Sequence, residues 1–301
     1  VGVLPGLGPT AAIALLLPST FHMTPVTAII MLAGIYYGAM YGGSTTSILV
    51  NIPGEAASVI TCLDGYQMAL KGRAGPALGI AAFGSFIAGT ISIIGLMLVA
   101  PPLAKFALAF GPPEYFALML LGMVVLIYLA AGSMLKALMM GVFGLLLSTI
   151  GMDSISGTQR LTFGILEFSD GVGLIPAIMG LFGVAEVIVN LEEGITRSVV
   201  TTKVRDLLPT LRDWKDSIWP ILRGSVLGFF IGILPGPAPV ISAFSSYAIE
   251  KKLSKYPERF GTGVIEGVAG PESANNAATG GAFIPLFTLG IPCNSVIAVL
   301  L

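Results

Sequence analysis

The sequence predicts an all-α, multi-pass integral membrane protein with two internal repeats built on discontinuous or re-entrant helices. Three observations carry this. First, 10% of the 301 residues are charged and 55% are hydrophobic, against about 25% charged in an average soluble domain; mean hydropathy is +0.92. Second, the charges leave long gaps: residues 1–54, 74–104, 115–135, 224–249 and 273–301 hold none, and a spanning helix needs about 20 mostly apolar residues. Third, an apolar element interrupted by Gly and Pro occurs twice, as Leu4-Pro5-Gly6-Leu7-Gly8-Pro9 and Leu234-Pro235-Gly236-Pro237-Ala238-Pro239, offset by 230. With 15 basic and 16 acidic residues the chain cannot coat a soluble fold of this size, which excludes a soluble enzyme or a disordered chain. A net charge of −1 excludes a nucleic-acid partner, and no segment shows the alternation of an outer-membrane barrel.

In chain order, residues 1–73 read as a first repeat core of broken helices. Residues 74–190 read as intervening spans at 75–100, 114–131, 134–151 and 172–190, with breaks at Pro101–Pro113, Ala131–Ser133 and Asp153–Asp170. Residues 191–216 carry Arg197, Lys203, Arg205, Arg212 and Lys215, with Trp214 and Trp219 at the end. That composition places them in the cytoplasm, partly as an interfacial helix. Residues 217–301 form the second repeat core. Counting backwards puts Lys136 inside, together with the loop holding Asp64, Lys71 and Arg73, which reads as a set of loop charges. An even number of spans between the repeats makes the two copies parallel by charge count, whereas paired re-entrant hairpins of other transporters are inverted, which needs one span more or fewer; the sequence leaves both open. The start inside a motif and the end in an apolar run read as a piece of a longer protein, truncated at its C-terminus. One histidine and two cysteines are too few for a Cys/His metal cluster, and the cysteines read as small buried residues.

The second copy shows why the helices must break. Trp219–Ile233 is about 22 Å long as helix and Pro237–Ile249 about 20 Å, and neither crosses about 30 Å of hydrocarbon. The prolines between them lack donors and clash with the preceding turn. Such backbone is tolerated at membrane depth only inside protein or beside a water-filled cavity. Each copy then has a second element: Tyr41-Gly42-Gly43-Ser44-Thr45-Thr46-Ser47 and Asn51-Ile52-Pro53-Gly54 in the first, Thr279-Gly280-Gly281 and Gly290-Ile291-Pro292-Cys293-Asn294-Ser295 in the second. Pro53 and Pro292 differ by 239, so the second copy carries extra residues, placed in Glu250–Glu266. Duplicated interrupted segments mark the binding site of a secondary transporter.

These residues resemble the large membrane subunit of the bacterial tripartite tricarboxylate transporter family. The matching stretches are VLPGLGPTAAIALLLPSTF at 3–21, GIYYGAMYGGSTTSILVNIPGEAAS at 34–58, DGYQMALKGRAGPAL at 64–78, ILPGPAPVISAF at 233–244 and GVIEGVAGPESANNAATGGAFIPLFTLGIPCNSVIAVLL at 263–301. Ala238 stands where a second Gly is expected, and Cys293 where many members have Gly. The resemblance implies an inner-membrane permease fed by a periplasmic solute-binding protein, paired with a small four-helix membrane subunit and driven by an ion gradient. No P-loop motif for ATP is present.

A di- or tricarboxylate moved into low dielectric needs compensation. The long uncharged runs hold no Lys or Arg, and Arg223 reads as snorkelling from a helix end. Oriented dipoles and a companion cation are left. Helix starts after Pro9 and Pro239, and near Pro53 and Pro292, would supply the dipoles. The expected substrate contacts are Gly6, Gly8, Gly43, Ser44, Thr45, Thr46, Asn51, Gly236, Ser273, Asn275, Asn276, Thr279 and Asn294, as hydroxyl and amide clusters beside the breaks. A Na⁺ is expected near Ser47, Asn51, Glu272, Asn276 and Ser295, with a proton as the alternative coupling cation; no other cofactor is expected. Glu55 reads as a helix-start charge and Glu272 as part of the site. A passive channel, or an intramembrane enzyme, is the competing function, but no nucleophile–base pair or metal motif supports an enzyme.

Overall fold

The computed structural model describes residues 2–3, 8–107, 133–153, 157–172 and 207–300, with isolated positions between 109 and 124 and at 188. The protein is all-α in character: α1 Pro9–Leu16, α2 Pro25–Val50, α3 Val59–Thr61, α4 Gln67–Leu70, α5 Ala74–Ala107, α6 Met134–Ser148, α7 Leu211–Gly232, α8 Ala238–Leu253, α9 Glu266–Leu289 and α10 Ser295–Leu300. One hairpin of two-residue strands, β1 Gly151–Met152 and β2 Gln159–Arg160, sits in the polar break after α6. Among the described residues α2 and α5 are long and apolar enough to cross a membrane. The expected spans at 114–131 and 172–190 lie outside the described residues, except for a few single positions.

α9 is the axis of the fold, and every residue from Gly267 to Pro285 is buried. Its sequence of Gly, Ala, Ser and Asn lets neighbouring backbones come close. α7 uses this with Gly224, Gly228 and Gly232, four residues apart on one face. A Cβ at these positions would run into the carbonyls of Gly270, Ala274 and Ala278 in turn, so α7 and α9 run parallel in backbone contact. α5 also runs parallel to α9, with Gly84 against Ser273, Ser85 bonded to Asn276 at 2.8 Å and Ser92 against Gly280. α8 runs antiparallel: Ser242 donates to the Ala274 carbonyl at 3.2 Å, and Ser246 faces Gly270. α2 is antiparallel too, because Tyr36 packs on Phe283 while Ser44, further along, bonds Glu272. Outside this core α5 turns Phe86, Met97 and Leu98 outward, each about 70% exposed.

Both α2 and α9 end the same way. Asn51 (φ 57°, ψ 35°) and Gly290 (φ 67°, ψ 20°) take the left-handed conformation, which closes the last turn, and Ile-Pro follows each. Gly236 (φ 132°) turns the break between α7 and α8, a conformation that L side chains avoid. Its N–H donates to the Cys293 carbonyl at 2.8 Å, tying that break to the one after α9.

The structure corrects several expectations. Gly42–Ser47 and Ser273–Thr279, expected beside the breaks, lie well inside continuous helices, where their small side chains serve close packing. α7 starts at Leu211, inside the expected cytoplasmic stretch. Thr210 and Asp213 form a capping box there, so the helix has 22 residues, about 33 Å, where 15 were expected. α5 continues through Pro101 and Pro102 to Ala107. α2 and α9, which carry the two Gly-Gly elements, run in opposite directions.

Arg223, partly exposed, holds Glu250 through two hydrogen bonds of 2.9 and 2.5 Å. Asp64 is not a loop charge. It is fully buried and accepts from the N–H groups of Gly261, Gly263 and Val264 and from Tyr247 Oη. Tyr247 belongs to α8, and the three N–H donors to the loop after it, within the Glu250–Glu266 stretch where the extra residues of the second copy are expected.

Candidate functional site

A cavity of about 460 Å³ lies where four helix starts meet. α1 contributes Gly8, Pro9 and Thr10; the turn before α3 contributes Pro53, Gly54 and Glu55; α8 contributes Pro237, Pro239 and Val240; α10 contributes Asn294 and Ser295. Tyr36 and Met40 of α2 complete the wall. α1 and α8 carry a proline in the first turn, Pro9 and Pro239, which removes a donor and fixes φ there; Pro53 and Pro292 stand in the turns just before the other two starts. Among the described lining residues none is Lys or Arg, and Glu55 is the one charged group.

The four starts divide into two kinds. α1 and α8 have no side-chain cap, so their dipoles face the cavity without a capping side chain in between. The other two are closed from within the chain. Glu55 Oε2 accepts from Ala57 N at 2.5 Å, and Asn294 Oδ1 accepts from Ile297 N at 2.9 Å. The amide of Asn294 points to Tyr36 Oη at 3.4 Å, and Thr10 Oγ1 lies 3.3 Å from Ser295 Oγ. A cavity of this make-up offers helix N-termini, the hydroxyls of Thr10, Ser295 and Tyr36 and one amide, a donor set suited to a carboxylate.

A second polar group lies behind the cavity, between α2, α3 and α9. Ser44 Oγ donates to Glu272 Oε2 at 2.5 Å and Thr61 Oγ1 donates to Oε1, all three residues fully buried. Ser47 Oγ bonds the carbonyls of Gly43 and Ser58 at 3.1 and 3.0 Å. Asn276 donates to Ser85 Oγ, to the Glu272 carbonyl and to Asn275 Oδ1, and also lines a separate hollow of about 340 Å³ with Tyr37 and Tyr41.

The expected site residues therefore separate. Gly8 and Asn294 line the cavity, as does Ser295. Gly6 lies outside the described residues. Gly43 abuts Glu55, Gly236 shapes the neighbouring break, and Asn51 ends α2. Ser44, Ser273, Asn275, Asn276 and Thr279 are buried between helices and do not line the cavity. Thr46, Ser273 and Thr279 bond back to the carbonyls of Gly43, Ala269 and Asn275 in their own helices, the local competition open to any Ser or Thr in a helix. Thr45 is half-buried on α2, off the cavity. The group expected around a cation is not gathered in one place: Ser47 turns to Gly43 and Ser58, Asn276 meets the Glu272 carbonyl, and Ser295 stands beside Thr10. Sequence reasoning missed Tyr36, Thr61 and Ser85. A lone hydroxyl in an apolar run is their only signal, and it does not say which neighbour the fold supplies.

Residues 1–301 match the family described as the tripartite tricarboxylate transporter TctA family. An uncharacterized 52.8 kDa protein in the TAR-I ttuC' 3' region of Agrobacterium vitis is 56% identical over 300 residues, which is 100% of this chain and 60% of that protein. An uncharacterized protein in the TAR-II ttuC' 3' region of the same organism is 59% identical over 73 residues, 24% of this chain and 30% of that protein. No solved structure matches. The chain spans about 60% of the length of the longer match. By its match over all 301 residues, the chain belongs to the tripartite tricarboxylate transporter TctA family.

Proposed function

We propose that this chain forms the substrate-handling core of a secondary active importer of di- or tricarboxylates in the bacterial inner membrane. In this reading it is a multi-pass permease, fed by a periplasmic solute-binding protein, paired with a small membrane subunit and driven by Na⁺ or H⁺. The observation that carries the reading is the convergence of four helix starts on one cavity that has no basic side chain among its described walls. The helix dipoles, Thr10, Ser295 and Asn294 hold one carboxylate there, and the companion cation compensates the charge that dipoles do not. The buried Ser44, Glu272, Asn275 and Asn276 act from behind the wall.

The same reading makes the two halves an inverted repeat. α2 and α9 correspond at an offset of 239, end in matching left-handed residues, and run antiparallel through the Tyr36–Phe283 and Ser44–Glu272 contacts. A pseudo-two-fold of this kind brings both breaks to one point, as alternating access requires.

The test is uptake into proteoliposomes holding the full-length protein, its small subunit and its binding protein. The reading predicts saturable carboxylate accumulation above the external concentration that collapses when the ion gradient is dissipated. Uptake that only equilibrates identifies a passive channel and overturns it. Asn294→Ala should raise the half-saturating concentration several-fold while expression holds.

A further inference from the structure

Two carboxyl groups flank one turn of α2, Glu272 fully buried and Glu55 partly buried on the cavity wall. Glu272 has no exposed surface, and its two oxygens take the hydroxyls of Ser44 and Thr61. Glu55 reaches the same turn from the other side. The residue before Ser44 is Gly43, and a Cβ there would stand 2.9 Å from Glu55 Cγ and 3.3 Å from Oε1. Gly43 is thus the seat of the Glu55 side chain. Oε1 is shut off from solvent and takes no hydrogen bond from any described residue, although Oε2 is held by Ala57 N. No ion pair among the described residues reaches either carboxyl: Arg73 is joined to Asp213 and Arg223 to Glu250, while Lys71 donates to the Thr262 carbonyl.

A buried carboxylate without a countercharge, as at Glu272, is expensive, and the unpartnered buried oxygen of Glu55 calls for a partner, an ion among the candidates. The available ligands are hard oxygens only: both oxygens of Glu272, the hydroxyls of Ser44 and Thr61, and Glu55 Oε1. That set fits a small alkali cation. Hydroxyls that now donate to Glu272 can rotate to present lone pairs.

We propose that Glu272, Ser44 and Thr61 form the inner face of a Na⁺ site that Glu55 closes from the cavity side. The inference rests on the transporter reading and gives its coupling cation a place. It also gives coupling a route. Ser47 Oγ bonds the Ser58 carbonyl, Ser58 Oγ bonds the Glu55 carbonyl, and Glu55 lines the carboxylate cavity. A cation drawn between the two carboxyls fixes the turn at residues 53–58, and with it one wall of the cavity.

The experiment is thermal unfolding of the purified full-length protein in detergent, titrated with NaCl against choline chloride at constant ionic strength and without any carboxylate. Wild type should show a saturable rise in melting temperature with Na⁺ and none with choline. Glu272→Gln should abolish it. Ser44→Ala and the shape-conserving Thr61→Val should each raise the half-saturating Na⁺ concentration about tenfold or more. Glu258→Gln, an exposed glutamate outside the cluster, should respond as wild type. If Glu272→Gln does not fold, Ser44→Ala and Thr61→Val decide the matter alone. A wild-type melting temperature indifferent to Na⁺, or a Na⁺ response unchanged in both hydroxyl variants, overturns the site. So does uptake driven by a proton gradient at zero Na⁺. A Na⁺ response in a protein that accumulates no carboxylate leaves the site standing and overturns the transporter reading.

Discussion

Asp64→Ala is expected to loosen the second half of the protein from the first. The carboxylate is fully buried and is the acceptor for three backbone N–H groups, Gly261 at 3.0 Å, Gly263 at 2.7 Å and Val264 at 2.9 Å, and for Tyr247 Oη at 2.8 Å. Gly261 and Gly263 have φ of 88° and 101°, so the loop adopts a conformation that aims successive N–H groups at one anion. Each buried donor left without an acceptor costs about 1–3 kcal/mol. The loop borders solvent, and water can satisfy part of what is lost, so about 4 kcal/mol is the expected total, at the low end of that range for four donors. For a chain of this size that is on the order of a 10 °C fall in apparent melting temperature. Asp64→Asn keeps the shape and one acceptor oxygen but turns an NH₂ toward the N–H groups, and should lose about half as much. The assay is thermal unfolding in detergent followed by size-exclusion fluorescence, with limited proteolysis of residues 254–265 in parallel. An Asp64→Ala protein that melts within about 2 °C of wild type, with the loop equally resistant, would refute the reasoning.

Other outcomes follow from the same contacts. Gly228→Val places side-chain atoms on the Ala274 carbonyl and should separate α7 from α9, with loss of folded yield. Gly144→Ala on α6, where nothing lies within 4 Å, should be neutral or slightly stabilising. Arg223→Ala strands Glu250, whose side chain is 3% exposed, and should cost about 2 kcal/mol after allowance for the half-exposed guanidinium; Arg223→Ala/Glu250→Ala should be milder than the single change, as a double-mutant cycle in melting temperature would read. Asn294→Ala removes the cap on Ile297 N and should cost about 1 kcal/mol of stability as well as weakening uptake.

Much of the architecture was legible because it depends on local rules. Pro9 and Pro239 mark helix starts, since Pro removes a donor and fixes φ; Asn51, expected as a ligand contact, instead ends α2 with positive φ, as Gly290 ends α9. The shortage of charge pointed to a membrane chain for the same kind of reason. What was not legible depended on partners far away in sequence. Gly42-Gly43 and Gly280-Gly281 read as part of a repeated element without a stated role, and in the fold they are contact points inside helices. Gly43 makes room for Glu55, and Gly281 lies against the Phe229 carbonyl. Asp64 looked like a loop charge because its donors lie about 200 positions on, at 261–264. The polar run Ser273–Thr279 promised a ligand surface. In the fold it is enclosed by α2, α5, α7 and α8, and Asn294 and Ser295, further along the chain, reach the cavity instead.

Carboxylate bound between the helix starts should protect a cysteine placed at Thr10, on the cavity wall. In a full-length protein whose native cysteines are replaced, a membrane-permeant thiol reagent should modify Thr10→Cys. The transported di- or tricarboxylate should slow that reaction saturably, with half-protection near the half-saturating concentration for uptake. The same protection at Ser295→Cys, and none at an exposed α5 position such as Met97→Cys, would place the carboxylate between the helix starts. Undiminished labelling of both cavity cysteines at saturating carboxylate, in protein that still accumulates it, would contradict the account.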